Sequence, residues 1–121
     1  IKNKYYLNTA ASLAYKAVSE MKNLTKKLSG KPETAYGLAG LGDLYVSSAG
    51  GRNSKMGYYL GQGHLFKDAK EKFMKEVTVE GADLAFAIGS KILKEFNKEE
   101  FPLLLSMVDC IFNNKKLEIN W

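Results

Sequence analysis

Leu7-Asn8-Thr9-Ala10-Ala11-Ser12-Leu13-Ala14-Tyr15-Lys16-Ala17-Val18-Ser19-Glu20-Met21 decides the class of fold. Leu7, Ala11, Ala14, Val18 and Met21, with Leu28 beyond them, recur at spacings near three and four. That is the period of a helix carrying one apolar stripe. Asn8 or Thr9 is the candidate cap at its start. Ser29-Gly30-Lys31-Pro32 ends it, and Pro32 suits the first turn of a short helix over Glu33–Tyr36.

Helical punctuation continues downstream. Gly37-Leu38-Ala39-Gly40-Leu41-Gly42-Asp43-Leu44 is small and apolar with one acid inside it, and its glycines point to tight packing. A helix is expected from about Leu41 through Ser48, with Asp43 and Ser47 four apart on one face. After the loop Ala49–Arg52, a helix from Asn53 to Leu60 stops at Gly61-Gln62-Gly63. Phe66, Ala69, Phe73 and Met74 mark a charged amphipathic helix over about Leu65–Glu76, and Val77-Thr78-Val79 reads as extended. Beyond Gly81 a further helix turns Leu84, Ala85, Ile88, Ile92 and Leu93 inward. Asn97-Lys98-Glu99-Glu100 has the form of a capping box, with Pro102 in the first turn or two of the last helix. Leu103–Phe112 is apolar on several faces, so that helix is central or at an interface, and Lys115–Trp121 is a tail. With no strand pair, repeat or low-complexity block, the class is all-α: a compact bundle of about six or seven helices in a single domain over residues 1–121.

Bulk properties narrow the function. The length of 121 residues and hydrophobic content of 45% suit one globular domain. The net charge of +5 is spread along the chain, and Lys67–Lys75 is interleaved with Asp68, Glu71 and Glu76. That pattern is a solvated helix face and argues against a nucleic-acid partner. Cys110 is the only cysteine, so no internal disulfide forms, and its apolar setting predicts a buried thiol in a reducing cytoplasm. No stretch is long and apolar enough to span a bilayer, and no signal peptide is visible. The start at Ile1, without methionine, is expected of a piece of a longer protein.

Arg52 is the only arginine; every other basic side chain apart from His64 is lysine. A guanidinium kept where lysine is the rule points to a task needing a planar fork, such as gripping phosphate or carboxylate by two bonds. Gly50 and Gly51 let the backbone approach a ligand, and Asn53 or Ser54 can cap a helix whose free N–H groups attract an anion. The plainer reading is a surface arginine after a Gly-Gly turn. His64 follows a Gly-Gln-Gly turn and is expected to be exposed, with no second metal ligand spaced to help it. Tyr58, Tyr59, Phe66 and Phe73 sit at helical spacing and read as core.

Gly37–Leu44, Gly50-Gly51-Arg52-Asn53, Gly57, Leu60-Gly61-Gln62-Gly63 and Val79-Glu80-Gly81 together resemble the C-terminal domain of NAD(P)-dependent glycerol-3-phosphate dehydrogenases. Leu13–Met21 resembles the long helix before these blocks, and Phe101-Pro102-Leu103 the start of the last one. The resemblance covers nearly the whole chain, and an Arg-Asn pair nine residues after the Asp is its specific signal. It implies the helical substrate domain of a two-domain, 6-phosphogluconate-dehydrogenase-like enzyme whose Rossmann half lies outside this chain. It also implies interconversion of dihydroxyacetone phosphate and glycerol 3-phosphate with NAD or NADP, in carbohydrate metabolism and phospholipid biosynthesis. Lys2-Asn3 imitates the family's catalytic-lysine segment but stands too close to the long helix, by roughly four turns, so that lysine is expected elsewhere.

Residue by residue, the resemblance implies that Asp43 is the carboxylate supporting the catalytic lysine. The alternative is a helix-capping acid beside Gly42. Arg52 matches the phosphate clamp and Asn53 a neighbouring substrate contact. Ser47 matches a hydroxyl facing the substrate, and Gly51 leaves only backbone N–H where many members carry serine. Glu80 matches a cofactor contact with Thr78 beside it, and Arg52 also faces the cofactor; without the resemblance, Glu80 is simply an acid favoured by a helix N-terminus. No metal site is implied. Expected partners are the phosphorylated substrate, the Rossmann half and, through the apolar last helix, a second copy. Two other readings stay open: a stand-alone helical module using Leu103–Phe112 as a partner surface, and a sister dehydrogenase for another phosphorylated or acidic substrate.

Overall fold

Helix-forming stretches separated by glycine, proline and asparagine produce six α-helices and no strand among the described residues, which in this computed structural model are 6–120. In order they are α1 (Leu7–Lys27), α2 (Asp43–Ala49), α3 (Arg52–Gly61), α4 (Phe66–Phe73), α5 (Glu80–Glu95) and α6 (Pro102–Phe112). Two compact units result, one through Leu44 and one from Tyr45 onward. Lys2-Asn3, Ile1 and Trp121 lie outside the described residues.

In the first unit α1 packs on a 3-10 turn, Pro32–Tyr36, and on a wide turn, Leu38–Gly42. Tyr6 stands at the α1 start and no side chain caps it, so neither Asn8 nor Thr9 has the expected role. The helix ends as predicted but by a device unseen in the sequence. Ser29 is left-handed (φ 65°), Gly30 N–H donates to Thr25 O at 2.8 Å and Ser29 N–H to Lys26 O at 3.0 Å, a Schellman closure without glycine at its turning point. The predicted stripe is only partly covered. Val18 is buried, whereas Leu7 and Leu28 are exposed, because the chain's own turns reach only part of α1.

The segment expected to be helical from Leu41 instead widens first. Gly42 N–H reaches back five residues to Gly37 O at 3.2 Å, and α2 then begins at Asp43. Gly40 is buried there, and a Cβ on it would stand 2.2 Å from Ala35 O. Only glycine lets the two backbones approach so closely.

The core of the second unit joins Met56 and Leu60 of α3, Phe66 and Ala69 of α4, Met74, Val79, Ala82 of α5 and Cys110 of α6. Helix α4 stops at Phe73, three residues short of the expected end, because Met74 leaves helical geometry (φ −138°, ψ 34°) to bury its side chain. Lys70 donates to Met74 O (2.9 Å) and Lys75 O (3.2 Å), closing that end. On α5 the buried line is Ala82, Ala85, Gly89 and Ile92; Leu84 and Ile88 are exposed, contrary to the expected stripe. The small residues face inward because α6 lies close: a Cβ on Gly89 would meet Phe112 Cδ2 at 2.9 Å. Asn97 does accept Glu100 N–H at 2.8 Å, but this closes a turn; α6 itself starts at Pro102, its first residue, where the missing N–H costs nothing. Leu103, Val108 and Cys110 of α6 are buried within the unit, while Met107 is exposed. No helix of the described residues is long and apolar enough to cross a membrane.

Candidate functional site

The Gly50-Gly51 bend places Arg52 at the first residue of α3. Gly51 has φ 111° and ψ 176°, a conformation open to glycine and hardly to other residues, and it stands at the helix start in place of a side-chain cap. Neither Asn53 nor Ser54 caps α3 as expected. Asn53 instead crosses to α5: its Oδ1 accepts the backbone N–H of Gly81 at 3.0 Å. Gly81 is the second residue of α5, whose own preceding residue, Val79, contributes no side-chain bond. One of the free N–H groups that every helix start leaves is therefore satisfied from another helix.

Arg52 Nη2 donates to Glu80 Oε1, an ion pair whose side chains are 57% and 52% exposed. Adjacent residues of α3 thus hold adjacent residues of α5, across 28 positions in each case. In solvent such a pair contributes about 0.2–1 kcal/mol. Its position carries more meaning than its strength. A guanidinium at the first residue of a helix adds positive charge to the positive end of the helix dipole, and the combination attracts an anion. Glu80 opens α5 with Asp83 in the same turn, where a helix start favours an acid, and from there its carboxylate faces the arginine.

Of the residues singled out by sequence, Arg52, Asn53 and Glu80 are brought together, with Gly51 shaping the approach. Thr78 is exposed in the extended segment before α5, and Ser47 is exposed on α2. Asp43 belongs to the first unit and is exposed, not enclosed by small apolar residues; it opens α2, and no side-chain partner is found for it among the described residues. His64 is half-buried, not exposed: its ring lies edge-on to Tyr59 (6.0 Å) and Phe73 (5.2 Å). Tyr59 and Phe73 stack at 4.3 Å, yet Tyr58 and Phe73 are exposed, so only Phe66 of the four aromatics is fully core. No cluster of three potential metal-ligating side chains exists among the described residues. Burial pushes the Cys110 thiol above its ordinary pKa, with Asp109 adding to the effect.

A separate groove of about 620 Å³ runs between the end of α5, α6 and the tail, lined by apolar Leu93, Pro102 and Leu105 and by charged Lys98, Asp109 and Lys115 among others. None of Asp43, Ser47, Gly51, Arg52, Asn53, Thr78 and Glu80 lines it, whereas Leu105, Ser106 and Asp109 of the Leu103–Phe112 stretch do. The signal sequence reasoning missed is Gly81, whose backbone N–H takes part in the Asn53 contact; only its place in the Val79-Glu80-Gly81 block marked it.

The family description "NAD-dependent glycerol-3-phosphate dehydrogenase C-terminus" matches residues 2–120. An "NADP(+)-dependent glycerol-3-phosphate dehydrogenase" of Archaeoglobus fulgidus is 34% identical over 97% of this chain and 35% of its own length. A "Glycerol-3-phosphate dehydrogenase [NAD(P)+]" of Clostridium acetobutylicum is 36% identical over 88% of the chain and 32% of its own length. One of Chlamydia pneumoniae is 34% identical over 92% and 33% respectively. The chain thus spans about a third of the length of these curated relatives. No solved structure matches it.

Proposed function

The chain belongs to the NAD-dependent glycerol-3-phosphate dehydrogenase family, as its C-terminal domain, and from that premise we propose that it binds the substrate of such an enzyme. The reaction is the interconversion of dihydroxyacetone phosphate and sn-glycerol 3-phosphate. The observation that carries the reading is the convergence of Arg52 and Asn53 on Glu80 and Gly81. In this reading the chain is a substrate domain working with a Rossmann half contributed from outside residues 1–121, in the cytoplasm.

Arg52 holds the phosphate by charge and by its fork, and its half-exposed side chain leaves the guanidinium within reach of an anion from solvent. Asn53 keeps Oδ1 on Gly81 and offers its Nδ2 donor to the substrate. Ser47 and the Gly51 backbone N–H supply neutral polar contacts. Asp43 steadies the ammonium of a lysine outside this chain, which protonates the carbonyl oxygen as the carbonyl carbon is reduced. Bound NADH or NADPH supplies the hydride. The exposed carboxylate of Glu80 and hydroxyl of Thr78 fit the hydroxyl and amide groups of such a cofactor.

Steady-state kinetics of the full-length enzyme test this. Arg52→Lys replaces a fork by a point charge and is expected to raise KM for dihydroxyacetone phosphate roughly ten- to hundredfold. Unchanged kinetics would remove Arg52 from the clamp. The 121-residue chain alone is expected not to oxidise NADH with dihydroxyacetone phosphate; measurable turnover would contradict the assignment of cofactor site and lysine to the remainder of the enzyme.

A further inference from the structure

The guanidinium assigned to substrate phosphate is already held by a carboxylate of the same chain. Arg52 Nη2 donates to Glu80 Oε1. A guanidinium offers two two-bond edges, Nη1 with Nη2 and Nε with Nη2, and Nη2 belongs to both. A phosphate gripping Arg52 therefore shares Nη2 with Glu80 and meets its like charge at short range. Both side chains are about half exposed, so the pair is weak enough to be exchanged. The backbone does not have to move for that exchange. Asn53 Oδ1 on the Gly81 N–H, at 3.0 Å, keeps the starts of α3 and α5 together while the Glu80 side chain is free to turn away.

Resting on the function proposed above, we propose that Glu80 is an internal competitor for phosphate at Arg52. A dinucleotide that engages the Glu80 carboxylate through its hydroxyl or amide groups frees the guanidinium. Cofactor and phosphate then bind with positive coupling, and the coupling is reciprocal by linkage. Glu80 is in this sense a residue that couples the two ligands, beyond any direct contact it makes.

The test is titration of the full-length enzyme with inorganic phosphate, with and without saturating NADH, for the wild type, Glu80→Gln and Arg52→Lys. Glu80→Gln keeps the size of the side chain and removes its charge. It is expected to tighten phosphate binding in cofactor-free enzyme roughly two- to fivefold, the range of an exposed ion pair. NADH is expected to tighten phosphate binding to wild type by a similar factor and to add nothing in Glu80→Gln. Phosphate binding that is unchanged or weaker in Glu80→Gln overturns the competition, the weaker case meaning that Glu80 orients Arg52. If Arg52→Lys loses phosphate while Glu80→Gln changes nothing, the clamp stands and the competition falls. If Arg52→Lys binds phosphate like wild type, the clamp itself fails.

Discussion

Asn53 caps a helix that is not its own: its side-chain oxygen accepts the N–H of Gly81, the second residue of α5, at 3.0 Å. Asn114 does the same for α4, accepting the Lys67 N–H at 3.0 Å from 47 residues away. In both helices the preceding residue, Leu65 or Val79, is apolar and provides no side-chain cap. Two helix starts are thus tied to distant parts of the second unit, and one of those ties runs through the candidate site.

Substitution of Asn53 separates the two jobs given to it. Asn53→Ala removes the cap and is expected to lower stability of the full-length enzyme by about 1 kcal/mol. Asn53→Asp retains an acceptor for Gly81 but loses the Nδ2 donor and adds negative charge beside the phosphate site. Stability near that of wild type with a raised KM for dihydroxyacetone phosphate is the expected pattern. Urea denaturation and initial-rate kinetics on the same two variants check it; equal stability loss in both would show that geometry, not the acceptor, matters.

Gly50 and Gly51 are predicted to respond differently to alanine. Neither would meet any atom within 4 Å of an added Cβ. Gly51 alone has a positive φ, 111°. Gly51→Ala is therefore expected to cost about 1–3 kcal/mol through backbone strain, and Gly50→Ala close to nothing. Thermal unfolding of both variants decides this, with equal shifts counting against strain.

Gly40→Ala tests close packing instead of conformation. The added Cβ would overlap the Ala35 carbonyl, whose carbon and Cα lie 2.7 Å away. Backbone atoms cannot step aside as a flexible side chain can. A loss of about 3 kcal/mol or more is expected, read as a lowered denaturation midpoint. A midpoint within experimental error of wild type would mean that the wide turn readily opens.

Cys110 predicts a pH dependence. Its folded pKa is raised above the ordinary 9.0, first by burial and then by the Asp109 charge. A raised pKa means that the folded state holds the proton more tightly than the unfolded state. The associated stability is fully present below pH 9 and declines as pH rises through the folded value. Cys110→Ala is expected to lose less stability than wild type between pH 8 and about pH 10.5, measured by urea denaturation at each pH. Parallel pH profiles would remove the thiol from the explanation.

Most of the helices were legible because their signals are local. Periodicity located α1 and α5, and Gly30 with Pro32 located the end of α1 and Gly81 the start of α5 to within a few residues. Helix ends illustrate where legibility fades. The α3 end at Gly63 (φ 97°) uses the residue expected of a left-handed turn, whereas the α1 and α6 ends use Ser29 (φ 65°) and Asn114 (φ 52°). All three close with the same pair of backbone bonds, so the geometry is shared and only one residue advertises it. The covered face of α5 was misread because a hydrophobic count favours Leu84 and Ile88, while close contact with Phe112 and Val108 favours Gly89.

Residue identity and spacing alone determined the all-helical class, the Gly-Gly-Arg-Asn bend and membership of a dehydrogenase family, since each is written in neighbouring residues. Tertiary structure decided that Arg52 meets Glu80, that Asn53 meets Gly81 and that Asp43 and Ser47 face solvent. A side chain's preferred conformation is set by its near neighbours, but its hydrogen-bond partner depends on where the folded chain returns, and the helix and turn across that separation of 28 positions carry no local mark of the return.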